Sequence, residues 1–187
     1  MGFYTKEAIK GHNIGDYTYG TPTIITYGRP AKLTIGKFCS IARGVKIVLD
    51  GEHRSDWVTT YPFTSSNIQI YYSWYPGAKE IDSFTNGDVI IGNDVWIGMD
   101  VTILSGSRIG DGAVIGAGSV VASVIQPYSI NIGNPCKMTR LRFYEYQIQK
   151  LMEIHWWDWP EEKIKKFAPL LCSGKIDEFI KEAECAK

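Results

Sequence analysis

The chain has 187 residues, with 20 basic and 20 acidic side chains and no formal net charge. That length suits about one domain with a small appendage, and the charge balance argues against a general nucleic-acid or membrane-surface binder. Its 44% hydrophobic content is that of an ordinary globular protein, and no apolar run is long enough to span a membrane.

Residues 1–13 have no apolar signal-peptide core and read as an irregular or weakly helical lead-in. Ile14-Gly15-Asp16-Tyr17-Thr18-Tyr19 forms an imperfect six-residue unit. Thr23–Tyr27 is a β-branched strand, ended by Gly28, Arg29 and Pro30. Ile35–Ser40 and Ile41–Lys46 resume the six-residue phase. Residues 50–88 then leave it in a long excursion, and such excursions from a compact scaffold are usually functional.

The dominant signal is residues 91–126, which in sixes read IGNDVW, IGMDVT, ILSGSR, IGDGAV, IGAGSV, VASVIQ. The first place is always a branched aliphatic, from Ile91 to Val121, and the second is mostly glycine. The fifth is small or aliphatic: Val95, Val101, Ser107, Ala113, Ser119, Ile125. A fixed short period held this long marks a repeat architecture. First and fifth places share parity and face one side of a strand, where β-branched residues pack well. Second-place glycine is expected to turn the corner at positive φ. Stacked coils then bury one continuous aliphatic column.

Beyond Gln126, Pro127, Gly133 and Pro135 end the coils. From about Leu141 the apolar period becomes helical. A first helix covers FYEYQIQKLMEIHWWDW. A second starts near Pro160, where proline suits the first turn. A third, KIDEFIKEAE, has Ser173 as its candidate N-cap. These helices are expected to cover the final coil, whose open end would present bare strand edges. Residues 1–140 are thus one coil domain, with residues 141–187 as a helical extension.

Few residues offer chemistry. Cys39, Cys136, Cys172 and Cys185 show neither paired nor metal-type spacing and read as reduced thiols in a cytoplasmic protein. Of three histidines, His12 lies in the lead-in, His155 sits among tryptophans, and His53 sits on the excursion in GEHRSDWVTTYPF. On its own, a loop histidine is more often solvated than catalytic. No cluster of metal-ligand type surrounds any of the three.

The hexads, HRSDWVTTYPF, VIIGNDVWIG, IQPYSINIGNPCKM and IHWWDWP together resemble the xenobiotic acetyltransferases, the type B chloramphenicol and streptogramin acetyltransferases. The resemblance covers residues 14–160. It implies an all-β solenoid: a left-handed parallel β-helix with an active-site loop at 50–88. It further implies acetyl-CoA as co-substrate, no metal, and a homotrimer with active sites between subunits. His53 becomes the general base that takes the acceptor's proton as the acceptor attacks the thioester. Tyr17 and Tyr19 match tyrosines of the acceptor pocket, and Trp96 matches a tryptophan beside the CoA arm. Gly116, Ala117 and Gly118 offer backbone amides to that arm. Lys137, Arg140 and Arg142 fall where the family meets the CoA phosphates.

For each of these a plainer role stays open: first-coil packing for the tyrosines, subunit contact for Trp96, corner geometry for the glycines, a solvated surface for the basic residues. Tyr71–Tyr75 lines either the acceptor or a neighbouring subunit. The implied acceptor is an antibiotic such as chloramphenicol or streptogramin A. The segment from Tyr19 to Leu33 is shorter than those antibiotic enzymes usually carry, and this keeps a sugar hydroxyl or amine as the alternative. Two other readings of the coils are a zinc hydratase, which needs three converging histidines, and a non-catalytic scaffold.

Overall fold

The computed structural model describes residues 4–28, 31–63 and 83–186. The chain winds through three parallel sheets in a fixed order. Face one holds β1 (Asn13–Ile14), β3 (Leu33–Ile35), β8 (Val89–Ile91), β11 (Arg108–Ile109) and β14 (Val124–Ile125). Face two holds β4 (Ser40–Ile41), β9 (Trp96–Ile97), β12 (Val114–Ile115) and β15 (Ser129–Ile132). Face three holds β2 (Thr23–Ile25), β5 (Lys46–Val48), β10 (Thr102–Ile103) and β13 (Val120–Val121). Each turn of chain lays one strand on each face, and Tyr19 bridges to Ser40 to supply face two of the first turn. The result is a three-sided parallel β-solenoid.

The column is the one the periodicity demands. Ile91, Val95, Ile97, Val101, Ile103, Ile109, Ala113, Ile115, Val121 and Ile125 form one buried cluster with Ile35, Cys39, Ile41, Val45 and Ile47. Burying each large aliphatic contributes roughly 1.5–3 kcal/mol. Two fifth-place serines are buried with their hydroxyls satisfied. Ser107 donates to Val121 O at 3.1 Å and Ser119 to Gly116 O at 2.7 Å.

The second-place glycines do something other than expected. Positive φ falls at the fourth place instead, at Asp94, Asp100, Gly106, Gly112 and Gly118. The second place needs glycine because coils stack too closely there for a side chain. A Cβ at Gly98 would lie 2.7 Å from Ala117 N, and one at Gly36 2.5 Å from Gly92 O.

The helices also depart from expectation. They are α2 (Glu145–Ile154), α3 (Glu161–Leu171) and α4 (Ile176–Cys185), after a short α1 (Thr5–Ala8). They lie along the edge between faces one and two rather than over the last coil. At this edge the fourth-place residues include Tyr17, Phe38 and Tyr128, all at positive φ. Their rings make an apolar strip for the amphipathic helices. Phe38 packs on Trp156 with ring centroids 4.8 Å apart, and Tyr128 on Phe143 at 5.9 Å. Lys37 pairs with Asp158 at 2.8 Å. The final coil instead receives β16 (Lys137–Leu141), antiparallel to β15. Ser173 is not the N-cap of the last helix. It closes the preceding one, donating to Leu170 O at 2.8 Å and accepting from Lys175 N at 3.1 Å.

Candidate active site

The excursion leaves the solenoid after β5 on face three and returns at β8 on face one. It therefore springs from the edge between those faces. Its neck is a two-stranded antiparallel ribbon, β6 (Glu52–His53) against β7 (Ser83–Phe84). Thr85 closes the neck by donating its hydroxyl to Leu49 O at 2.6 Å. Asp50, fully buried, accepts from the Thr26 hydroxyl at 2.9 Å and from the Tyr27 amide. Glu52 accepts from the Ser105 hydroxyl, and Asn86 N–H donates to Ser105 Oγ at 3.1 Å. Beyond the ribbon, Arg54 pairs with Asp56 and lies over the Trp57 ring at 5.4 Å. The hydrogen bond from Arg54 holds the Asp56 carboxyl below its ordinary range.

His53 is exposed, and its Nδ1 stands 2.8 Å from Thr60 O. A carbonyl oxygen only accepts, so Nδ1 carries the proton in this contact. In the neutral ring so held, Nε2 carries the lone pair, the form a general base needs.

Face two carries an outward row in register: Tyr19, Ser40, Trp96, Val114, Ile130 and Arg140. At the usual strand spacing this row is roughly 24 Å long. Trp96 is 58% exposed and Tyr19 50%, and Lys137 and Arg140 lie exposed on the outermost strand. The row therefore runs from aromatic to basic. In a three-sided coil, the edge that carries His53 is opposite face two. One chain does not bring His53 to Trp96.

The remaining sequence candidates divide. Gly116, Ala117 and Gly118 turn the corner from face two to face three. Gly116 N is given to Asn131 O and Gly118 N to Met99 O, both at 2.8 Å, so among the described residues the Ala117 amide is the one of the three not committed to another coil. Tyr17 faces the helices, stacked on Phe38 at 4.7 Å, and donates its hydroxyl to Glu161 at 3.3 Å. Tyr17 and Tyr19 thus sit on different sides of the coil. Arg142 turns inward. It donates to Gly112 O at 2.6 Å, pairs with Asp94 at 3.4 Å, and lies over the Tyr128 and Phe143 rings. It lines a cavity of about 380 Å³ between the coil edge and the helices, with Phe38, Asp94, Trp156 and Phe179. Tyr71–Tyr75 lies outside the described residues.

Cys39 is buried at a fifth place, its thiol pushed up to about 11 by burial. That suits packing, not nucleophilic use. Sequence reasoning missed Glu52, Ser105 and Asn86. The available signal was a carboxylate directly beside the histidine.

Comparisons with known proteins bear on the family and the fold. Residues 88–123 match the bacterial transferase hexapeptide family (six repeats). The chain is 45% identical over 148 residues to a chloramphenicol acetyltransferase of Escherichia coli, covering 78% of this chain and 68% of that one. It is 47% identical over 135 residues to a probable macrolide acetyltransferase of Lysinibacillus sphaericus, covering 71% and 73%. Among solved structures, a hexapeptide-repeat acetyltransferase from Vibrio cholerae superimposes with a TM-score of 0.50 at 24% identity, over 70% of this chain and 62% of that one. This last likeness bears on the fold alone.

Proposed function

Because the chain belongs to the hexapeptide-repeat xenobiotic acetyltransferase family, we propose that it transfers an acetyl group from acetyl-CoA to a hydroxyl, or amine, of an antibiotic-like small molecule, with His53 as general base. The observation that carries this reading is the His53 contact with Thr60 O. That contact supports a neutral ring protonated at Nδ1, which leaves the Nε2 lone pair free to take a proton.

The acceptor's proton passes to Nε2 as its oxygen attacks the thioester carbonyl. The carbon–sulfur bond then breaks, and the imidazolium returns the proton to the departing thiolate of CoA. No acyl-enzyme is formed. General-base help of this kind is commonly worth about two to four orders of magnitude.

On this reading the coil, residues 1–140, is the left-handed acyltransferase domain, and 141–187 is a helical extension that braces one edge. The active form is a homotrimer. The His53 edge of one subunit faces the Trp96 row of the next, since a single chain holds them on opposite sides. Acetyl-CoA lies along that row, with its arm past Trp96 and the Ala117 amide and its phosphates toward Lys137 and Arg140. Tyr19 lines the acceptor end, whereas Tyr17, stacked on Phe38 beside the helices, is assigned to packing. Arg142 is assigned to the coil–helix junction rather than to the phosphates. The short segment from Tyr19 to Leu33 supports a second reading in which the acceptor is a sugar hydroxyl or amine.

The test is CoA release measured over chloramphenicol, a macrolide, streptogramin A and amino sugars, for wild type and for His53→Ala. The variant should lose about 10²- to 10⁴-fold in turnover while still binding acetyl-CoA. Co-assembling His53→Ala with Trp96→Ala subunits should restore activity, because mixed trimers contain one intact pairing. Retained turnover in His53→Ala removes the base. Absence of recovery in the mixture removes the shared site.

A further inference from the structure

We propose that Glu52 is a positioning residue for His53: by fastening the histidine strand to the coil at Ser105, it sets where the imidazole stands. This rests on the reading of His53 as the base.

Glu52 and His53 are neighbours on the two-residue strand β6. Adjacent strand residues point to opposite sides, so holding Glu52 against the coil turns His53 away from it. The hold is specific. Ser105 is 5% exposed, at the corner that leads from β10 to β11. Its hydroxyl has one hydrogen, which goes to Glu52 Oε1. Its lone pair is left to accept Asn86 N–H at 3.1 Å, and Asn86 Nδ2 reaches back to Glu52 Oε1 at 3.4 Å. One coil serine thus fixes both limbs of the excursion, at residues far apart in sequence. A Cβ at Gly106 would meet Asn86 O at 2.7 Å, so the second limb is seated directly on the coil.

Closing the neck does not require the Glu52 carboxylate. Thr85 and the backbone ladder of β6 and β7 already close it. A carboxylate is also a costly choice. Glu52 Oε2 is buried with no hydrogen-bond partner among the described residues, and a buried polar atom left unpaired is unfavourable. Such a cost is expected where geometry matters more than stability. Here the geometry is that of the residue next along the chain. A displacement of about 1 Å in a catalytic group is enough to cost roughly 100-fold in rate.

The test uses the full chain with Glu52→Ala, Glu52→Gln, Ser105→Ala and the double variant, alongside His53→Ala. Glu52→Ala should lower kcat by about 10- to 100-fold and leave the KM for acetyl-CoA unchanged. Glu52→Gln keeps an acceptor oxygen for Ser105 and should recover most of the turnover. The double variant should be no worse than Glu52→Ala, because the two residues act as one unit. Nitrogen-15 spectra of the imidazole should show the Nδ1-protonated tautomer giving way to a mixture in Glu52→Ala. Ser105→Ala removes the same hydrogen bond without touching the carboxylate, and so decides the matter if Glu52→Ala does not fold. Full turnover with an unshifted tautomer in Ser105→Ala overturns the proposal, as does a rise in the KM for acetyl-CoA that matches the fall in kcat. Activity retained in His53→Ala would instead strike the base assignment, an outcome separable from these.

Discussion

Replacing Arg142 by alanine should unfold the junction between coil and helices without weakening acetyl-CoA binding. The guanidinium gives a charge-assisted hydrogen bond to Gly112 O at 2.6 Å, a bond type worth about 1.5–3 kcal/mol. It also lies 5.3 and 5.0 Å from the Tyr128 and Phe143 ring centres, contacts worth about 0.5–1 kcal/mol at such sites. Its pairing with Asp94 is counted low, because both side chains keep nearly a third of their exposure, 28% and 30%. The loss should be about 3 kcal/mol, a large part of a typical total of roughly 5–15 kcal/mol. In a chain of this size that lowers Tm by about 6–12 °C.

The loss should depend on pH. Burial raises the Asp94 carboxyl above its ordinary range, and Arg142 pulls it back down. A carboxyl raised in the folded state is bound more tightly to its proton there than in the unfolded chain. Its destabilising effect is therefore full above the folded pKa and fades as pH falls through it. Removing Arg142 deepens that effect, so the variant should be least impaired in acid and most impaired near neutrality. Denaturant unfolding across pH, with KM measured in parallel, is the assay. An unchanged unfolding midpoint together with a raised KM for acetyl-CoA would refute this reasoning and return Arg142 to the phosphates.

Two further outcomes are expected. Lys137→Ala combined with Arg140→Ala should raise the KM for acetyl-CoA by about tenfold per lost phosphate contact, with less change for the acceptor; steady-state kinetics varying each substrate checks this. In the folded protein a thiol reagent should label Cys172 and Cys185, which are exposed, well before Cys39, whose buried thiol is pushed up to about 11; Cys39→Ala should keep its turnover, since the reaction needs no thiol nucleophile.

The buried column could be read from the sequence because parity alone assigns it. Places one and five must face one way on any strand, so Ile91, Val95 and Ile97 could go nowhere but inward. The glycines showed only that something forbids a side chain at the second place. Whether the cause is φ or a neighbouring coil depends on stacking distance, which no single hexad contains. The left-handed fourth place was hidden because its occupants vary, from Tyr17 and Phe38 to Asp94 and Gly118. Without that ladder of rings, nothing in the sequence showed which edge the helices would seek. The contacts of Arg142 were hidden for a related reason. This residue sits in a run of basic residues, yet β16 ends at Leu141, and beyond that point the chain turns to the aromatic edge. His53 stood out only through its company in HRSDWVTTYPF. The contact that equips it, Nδ1 to Thr60 O, depends on a loop closing on itself across seven residues, and no periodic signal reports that.

The division of edges has a functional consequence. A three-sided coil has three edges, and among the described residues the helices and the neck of the excursion lie on two of them. The helices occupy the edge between faces one and two, drawn there by Tyr17, Phe38 and Tyr128. The excursion occupies the edge between faces three and one, because it interrupts the coil between β5 and β8. The exposed row from Tyr19 through Trp96 to Arg140 is on the face opposite that excursion. Had the interruption come one strand later, between β8 and β9, His53 would have risen beside Trp96 in the same chain, but on the edge the helices need. The point of insertion therefore separates His53 from the Trp96 row by the full width of the coil. That separation is what makes a partner subunit part of the chemistry in the proposed mechanism. It is also why the mixed assembly of His53→Ala and Trp96→Ala subunits tests the mechanism more sharply than either variant alone.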